Sequence, residues 1–354
     1  MSRGTRAVID TQALRHNLEV IKNAVSGSKI WAVIKANAYG HGAVTAALAL
    51  DQADGFAVAT LDEALELRAA DIAKDILLLE GCIDANQMIK ASKYNLHVVI
   101  HQPEQLPWLD QLPVDHNVNL WVKIDTGMHR LGFDPTFIRH QIPKIQQHPR
   151  VKSLGLLSHF ACADEPGHPL NKTQLDQFAP FNTLELPISL ANSAAVFKIP
   201  EAHKQWIRPG IALYGASPFS DITAAELNLK PVMTLRSRVI AERKVKMGES
   251  IGYGASWIAP SDRRIATIAL GYGDGYPRQA PSGTPTWLDG KIVPLVGRIS
   301  MDMITVDVTD IAGPVLNKNI ELWGNHLPVD QVAKSIGTIG YELLTRVSPR
   351  VKRI

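Results

Sequence analysis

Five apolar runs of the chain end in residues able to hold anions or move protons. Lys35 follows Ile30-Trp-Ala-Val-Ile34 and leads into Ala-Asn-Ala-Tyr39-Gly-His-Gly42. Lys123 and Asp125 close a second run, with Thr126-Gly-Met-His-Arg130 behind them. Ser158-His159-Phe160, Ala191-Asn-Ser193 and Arg208-Pro-Gly210-Ile211 close three more. Lysine and histidine can transfer protons, while arginine and serine donate to anions. No carboxylates and histidines at ligand spacing accompany them, so metal-assisted hydrolysis is not indicated and no metal is expected. His97 and His101 are four apart but lie in a strand-like run, where they do not share a helical face.

Taken singly, each residue has a structural explanation. A lysine after an apolar strand usually marks the exit to solvent. His159 alone reads as a satisfied core or rim histidine, and Arg208 before Pro209 as a surface pairing arginine. Lys123 is odder, because Leu120, Val122 and Ile124 surround it; such a lysine must be neutral, paired with an anion such as Asp125, or modified. What changes the reading is that all of them fall where strands end.

The elements that must position them are short and β-branched: Ile30–Ile34, Gly55–Ala59, Ile76–Leu79, Leu96–Ile100, Asn119–Ile124, Ser153–Leu157, Ile188–Leu190 and Trp206–Tyr214. Helical patterns lie between most of them, as in Ala43–Leu50, Leu61–Ala70 and Asn86–Lys93. This alternation predicts an α/β chain with an N-terminal (β/α)8 barrel, whose active site lies at the C-terminal ends of the strands. An open doubly wound sheet is the alternative. After about residue 230 the pattern becomes mainly β, with Val232–Val245, Ile265–Leu270, Lys291–Val296, Met303–Val308 and Ile320–Trp323 separated by Gly and Pro turns; helical periodicity is nearly absent until Val329–Ile336. With Ala224–Pro231 as connector, the chain divides into residues 1–228 and 229–354, the first few residues being available to pair with the β domain.

At 354 residues the chain exceeds the ~250–300 at which one core stops growing. A net charge of +3 and 6% aromatics indicate no nucleic-acid stripe, and no apolar run approaches the ~18 residues of a membrane span. No signal-type segment opens the sequence, and two cysteines cannot form a disulfide framework, so a cytoplasmic protein is expected.

Val33-Ile-Lys-Ala-Asn-Ala-Tyr39-Gly-His-Gly resembles the lysine signature of alanine racemases, fold-type III enzymes that use pyridoxal 5′-phosphate. The resemblance continues through Lys123–Gly132, Ser158-His159-Phe160, Asn192-Ser193, Arg208–Gly215, Gly252-Tyr253-Gly254, Gly271-Tyr-Gly-Asp-Gly275, Gly297-Arg-Ile-Ser-Met-Asp302, Gly340-Tyr341-Glu342 and Pro349-Arg350. It implies a barrel followed by a β domain. Lys35 would bond the cofactor aldehyde and, once released, act as proton-transfer base on one face of the substrate. Tyr39, Ser193, Tyr341 and the amides of Gly210 and Ile211 would hold the cofactor phosphate. Arg208 would face the pyridine nitrogen, His159 would orient Arg208 and a tyrosine, and Arg130 would hold the phenolic oxygen and assist at the substrate carboxylate. Lys123 matches the position at which the family carries a carbamylated lysine, a change that would turn a buried cation into an anion able to hold Arg130.

Racemisation needs a proton acceptor on each face of Cα. The resemblance implies that Tyr253 serves the second face from the other subunit of a homodimer, with Tyr272, Met301 and Asp302 lining the substrate site there. An ordinary tyrosine is a poor base at neutral pH, which makes a hydrogen-bond partner such as His159 necessary. Without the other motifs, Gly252-Tyr253-Gly254 would be a glycine-flanked turn. Gly271-Tyr-Gly-Asp-Gly-Tyr276 lacks the third glycine and the following helix of a dinucleotide fingerprint. Two alternatives stay open: a racemase of broader specificity acting on serine or basic amino acids, and a non-catalytic cofactor-carrying barrel. The second domain, with Tyr253, counts against the carrier.

Overall fold

A computed structural model describes residues 3–354. Eight parallel strands close a barrel: β2 (Lys29–Val33), β3 (Gly55–Val58), β4 (Asp75–Leu78), β5 (His97–Ile100), β6 (Val118–Lys123), β7 (Val151–Leu157), β8 (Ile188–Ser189) and β9 (Trp206–Ile207), with β9 returning to β2. β1 (Arg6–Ile9) precedes them but belongs elsewhere. It pairs antiparallel with β10 (Met233–Val245), from Arg6 opposite Arg236 to Ile9 opposite Met233, and parallel with Lys352–Arg353. Both ends of the chain therefore join the second domain's eight-stranded sheet. Asp10 then caps the helix Thr11–Ala24 by accepting from the Gln12 and Ala13 amides, and that helix carries the chain into the barrel.

The barrel interior is filled by matching large residues with absent ones. Trp31 lies opposite Gly55, and Trp121 opposite Gly155, in the strand registers. Trp31 stacks on Trp206 at 4.3 Å, and Trp121 meets both edge-on. A β-carbon on Gly55 would lie 2.3 Å from the Trp31 ring and one on Gly155 2.7 Å from Trp121, inside van der Waals contact. Gly155→Ala is therefore expected to lower stability by about 1–3 kcal/mol through overpacking. Gly167→Ala, where nothing lies within 4 Å, should be near neutral in the same urea unfolding series.

One sequence expectation needs correction. The run Trp206–Tyr214 is not one strand: only Trp206–Ile207 is extended, and Ile211–Tyr214 forms a 3-10 turn. Arg208-Pro-Gly210 interrupts the run, Pro209 removes a ladder donor, and Gly215 ends the turn in the left-handed region. Arg6–Ile9 joins the second domain's sheet, its antiparallel partners lying more than two hundred residues along the chain. Helix Val329–Ile336 forms as the pattern predicts.

Candidate active site

Lys35 opens the segment that follows β2, and the next four residues are unusual. Ala36, Asn37, Ala38 and Tyr39 all have φ of 52–53°, a turn of left-handed helix without glycine. Each such residue costs about 1–2 kcal/mol relative to the right-handed form, so the turn must be held from outside. The Ala36 amide donates to Glu63 Oε1 (2.6 Å), the Ala43 amide to Asn37 Oδ1 (2.8 Å), and the Gly40 amide to Ala36 O (3.0 Å). The second domain closes it: Arg353 Nε donates to Gly40 O, and a β-carbon on Gly40 would lie 2.2 Å from Leu344 O. Gly40 has φ +83°, so both space and backbone require glycine there.

This turn delivers the Tyr39 ring to the end of β9. Its hydroxyl oxygen lies where a β-carbon on Gly210 would be 2.4 Å away, an approach only glycine allows. Ser193, first residue of the helix Ser193–Lys198, accepts from the Gly210 amide (2.8 Å) and the Ala212 amide (3.4 Å). Tyr341, on the helix Gly340–Arg346, stands 6.0 Å from Tyr39 between ring centres. The Tyr39 and Ser193 hydroxyls thus meet the Gly210 backbone at one corner, with the Tyr341 ring beside Tyr39 and the next residue, Ile211, buried.

Arg208 is 4% exposed, and both of its terminal nitrogens are engaged. Nη1 donates to Ser189 O (2.6 Å) and Ser189 Oγ (2.7 Å), and Nη2 to Ser158 O, to Leu190 O (3.3 Å) and to His159 Nδ1 (3.3 Å). Because Arg208 can only donate, His159 must accept at Nδ1, which leaves its proton on Nε2. Burial first, and the Arg208 charge second, hold the His159 pKa well below the ordinary histidine range. The ring is neutral at working pH. Burial lowers Arg208 itself to about 10, still cationic at neutral pH.

Lys123 is 7% exposed, and burial, followed by the Arg208 and Arg130 charges, lowers its pKa to about 8. Four cations, Lys35, Lys123, Arg130 and Arg208, act on this region. The carboxylate beside them, Asp125, is already engaged by the Gly127 and His129 amides and His129 Nδ1, each at 3.0 Å. The balance is positive, and the site is built to receive anions.

Tyr253, Tyr272, Met301 and Asp302 do not join this corner from within the chain. Tyr253 sits in a glycine turn beside Arg298 of the second domain and is 69% exposed. Tyr272 and Met301 lie side by side and are exposed: the Gly273 amide donates to Met301 O (2.8 Å) and the Tyr272 amide to Ser300 O (3.1 Å). Asp302 is held by Arg350 Nη2 at 2.6 Å, and Arg350 also grips the buried Asp274.

Sequence reasoning passed over several residues that shape the site. Ser189 supplies two acceptors to Arg208; its signal was a polar residue inside the apolar run Ile188–Leu190. Gln174, buried on the helix Pro169–Phe178, donates to His159 O (2.9 Å) and Thr126 Oγ1 (3.3 Å) and accepts from the Ala161 amide, tying together the loops after β6 and β7. Nothing in the local pattern marks it. Among the described residues no cluster of metal-ligating side chains occurs, and no helix is long and apolar enough to cross a membrane.

A parallel barrel with a lysine just beyond the first barrel strand, a cationic rim and a hydroxyl-lined corner after its last strands defines a class of barrel enzymes that bind phosphorylated ligands. Family models for the alanine racemase N-terminal and C-terminal domains match residues 9–218 and 232–354. The chain is 50% identical over 351 residues to an alanine racemase of Stutzerimonas stutzeri, covering 98% of each. It is also 50% identical over 349 residues to a biosynthetic alanine racemase of Pseudomonas aeruginosa, again 98% of each. A crystal structure of biosynthetic alanine racemase from Pseudomonas aeruginosa superposes with a TM-score of 0.97 at 49% identity, over 100% of this chain and 99% of that one. The alanine racemase of Acinetobacter baumannii gives 0.95 at 43% identity, over 99% of each. The chain belongs to the alanine racemase family, and so to the pyridoxal-phosphate-dependent racemases. The residues present fit that cofactor: the corner that Tyr39 and Gly210 form has no room for a β-carbon, and the excess of buried cations suits an anionic group.

Proposed function

We propose that the protein interconverts L- and D-alanine by moving a proton on and off Cα from two opposite faces. The convergence of Lys35, Tyr39, Ser193, Gly210 and Arg208 on one rim of the barrel carries this reading. Pyridoxal phosphate, when bound, draws electrons from the amino acid so that its Cα–H bond becomes acidic. Lys35 would hold it covalently, Tyr39, Ser193, Tyr341 and the Gly210 and Ile211 amides would hold its phosphate, and Arg130 its phenolic oxygen. Arg208 would hydrogen-bond the ring nitrogen without giving up a proton, which would favour return of the proton to Cα over side reactions.

Lys35 Nζ handles the proton on one face. The opposite face needs a second base, and Tyr253 of a second copy of the chain supplies it in a homodimer with composite sites. Its exposure in the single chain supports that assignment, as does the neighbouring wall of Tyr272, Met301 and Asp302, which would meet the substrate carboxylate. His159, with its proton on Nε2, has a donor left to support the tyrosine oxygen. The D-alanine formed supplies peptidoglycan synthesis, a role in keeping with the biosynthetic name of the Pseudomonas aeruginosa relative. Two unpaired cysteines, Cys82 and Cys162, support a cytoplasmic location.

Proton NMR of L-alanine in D2O with the holoenzyme tests the reading. Loss of the α-proton signal with appearance of D-alanine is the expected result, with serine and arginine exchanging far more slowly. A persistent α-proton in every amino acid overturns it.

Lys123 carries a further expectation. Its lowered pKa of about 8 leaves a fraction of neutral amine at working pH, the form that adds carbon dioxide. A carbamate there would offset the charges of Arg130 and Arg208. Labelled 13CO2 should yield a protein carbamate resonance that Lys123→Met lacks. In protein held free of carbon dioxide, stability should rise with pH between about 8 and the ordinary lysine value near 10.5, because the unfolded chain binds the proton that the native amine has lost.

A further inference from the structure

A further residue that holds the left-handed turn lies outside the set proposed to bind the cofactor. His41 is 1% exposed, and its Nδ1 lies 2.9 Å from Ala38 O and 3.0 Å from Tyr39 O. Both partners are carbonyls, so Nδ1 must carry the hydrogen. Burial lowers the pKa of the ring to about 4, which keeps it neutral, with the proton on Nδ1 alone. Nε2 is then a bare acceptor, and among the described residues it has no partner although it is fully buried. A buried unpaired polar atom is a standing cost that phenylalanine would avoid. What histidine adds is one N–H shared between the carbonyls of two left-handed residues.

The ring has a second contact. It stacks on Tyr214 at 4.6 Å, and Tyr214 stacks on Tyr39 at 4.7 Å. Tyr214 is pinned to β2 by its hydroxyl, which donates to Val33 O at 2.9 Å. The Tyr39 side chain is therefore held twice, through its backbone by the Nδ1–H and through its ring by Tyr214. We propose that His41 is a positioning residue that fixes the Tyr39 hydroxyl over Gly210, and so sets the affinity of the site for the cofactor's phosphate group. The inference rests on the reading above that Tyr39 binds phosphate.

The full-length chain, stripped of bound aldehyde with hydroxylamine, is titrated by absorbance with pyridoxal 5′-phosphate and, separately, with pyridoxal. His41→Phe keeps a stacking ring and removes the N–H. It is expected to weaken the phosphorylated ligand by about tenfold or more, the loss typical of one misplaced hydrogen bond to a charged group, with pyridoxal changed by less than about twofold. His41→Asn, which restores a donor, should fall between the two. Equal weakening of both ligands marks a general loss of structure and overturns the proposal, as does unchanged discrimination. Tyr39→Phe separates the two ideas. If it leaves phosphate discrimination intact, the reading of Tyr39 fails; if it lowers discrimination and His41→Phe does not, only the role of His41 fails. Nitrogen-15 NMR of the unsubstituted protein needs no variant to fold: an Nδ1–H neutral ring from about pH 5.5 to 9 is expected, and an Nε2–H form or a titration within that range overturns the proposal.

Discussion

Lys35→Ala is expected to abolish racemisation, with a fall of at least about 10⁴-fold, because in the proposed mechanism one side chain supplies both the covalent anchor and a proton-transfer base. The visible absorbance that marks a lysine-bound aldehyde should disappear with it. The fold should survive. Lys35 is only half-buried, and its charge is among those that depress Lys123 and His159, so its removal relieves repulsion in the cationic rim. Alpha-proton exchange in D2O, absorbance and circular dichroism on the same sample read all three effects. Residual racemisation above a few per cent, with native dichroism, would remove Lys35 from both roles.

Tyr253→Phe should act on one direction of proton transfer. The phenolic oxygen is the only atom removed, and Tyr253 is 69% exposed in the chain, so the stability change should stay within about 0.5 kcal/mol. Loss of a general base is worth about 10²–10⁴-fold. In single-turnover exchange one enantiomer should lose its α-proton slower by that factor, while the other still exchanges through Lys35. Equal loss for both enantiomers contradicts the two-face scheme. Mixing Lys35→Ala chains with Tyr253→Phe chains should restore activity, since one of the two sites in each mixed dimer then has both bases. If verified mixed dimers stay inactive, the two residues act from the same chain.

Much of the scaffold was legible from local pattern. The strand runs around Lys35, Lys123 and Ser158 appear within one or two residues of their expected bounds, because a buried parallel strand needs an unbroken apolar stretch and a crossover needs a helical period. The same pattern failed at Trp206–Tyr214, where Arg208-Pro-Gly210 separates two short apolar stretches, one a strand and the other a buried 3-10 turn, which hydrophobicity alone does not distinguish. Local pattern gave no bounds for Arg6–Ile9, which is extended because it pairs with residues 233–236 and 352–353.

The site divides along the same line. Residue type and order were enough to say that two lysines, two arginines, a histidine and several hydroxyls stand at strand ends, since chemistry belongs to the side chain and strand ends to the local period. Closure of the barrel decided which of them meet, because Tyr39, Ser193 and Gly210 are far apart in sequence and adjacent only once β9 returns to β2. Tertiary packing alone decided that Ala36–Tyr39 would run left-handed. No residue in that stretch prefers positive φ strongly enough to announce it, and the conformation persists because Glu63, Asn37, His41 and Arg353 together outweigh its local cost.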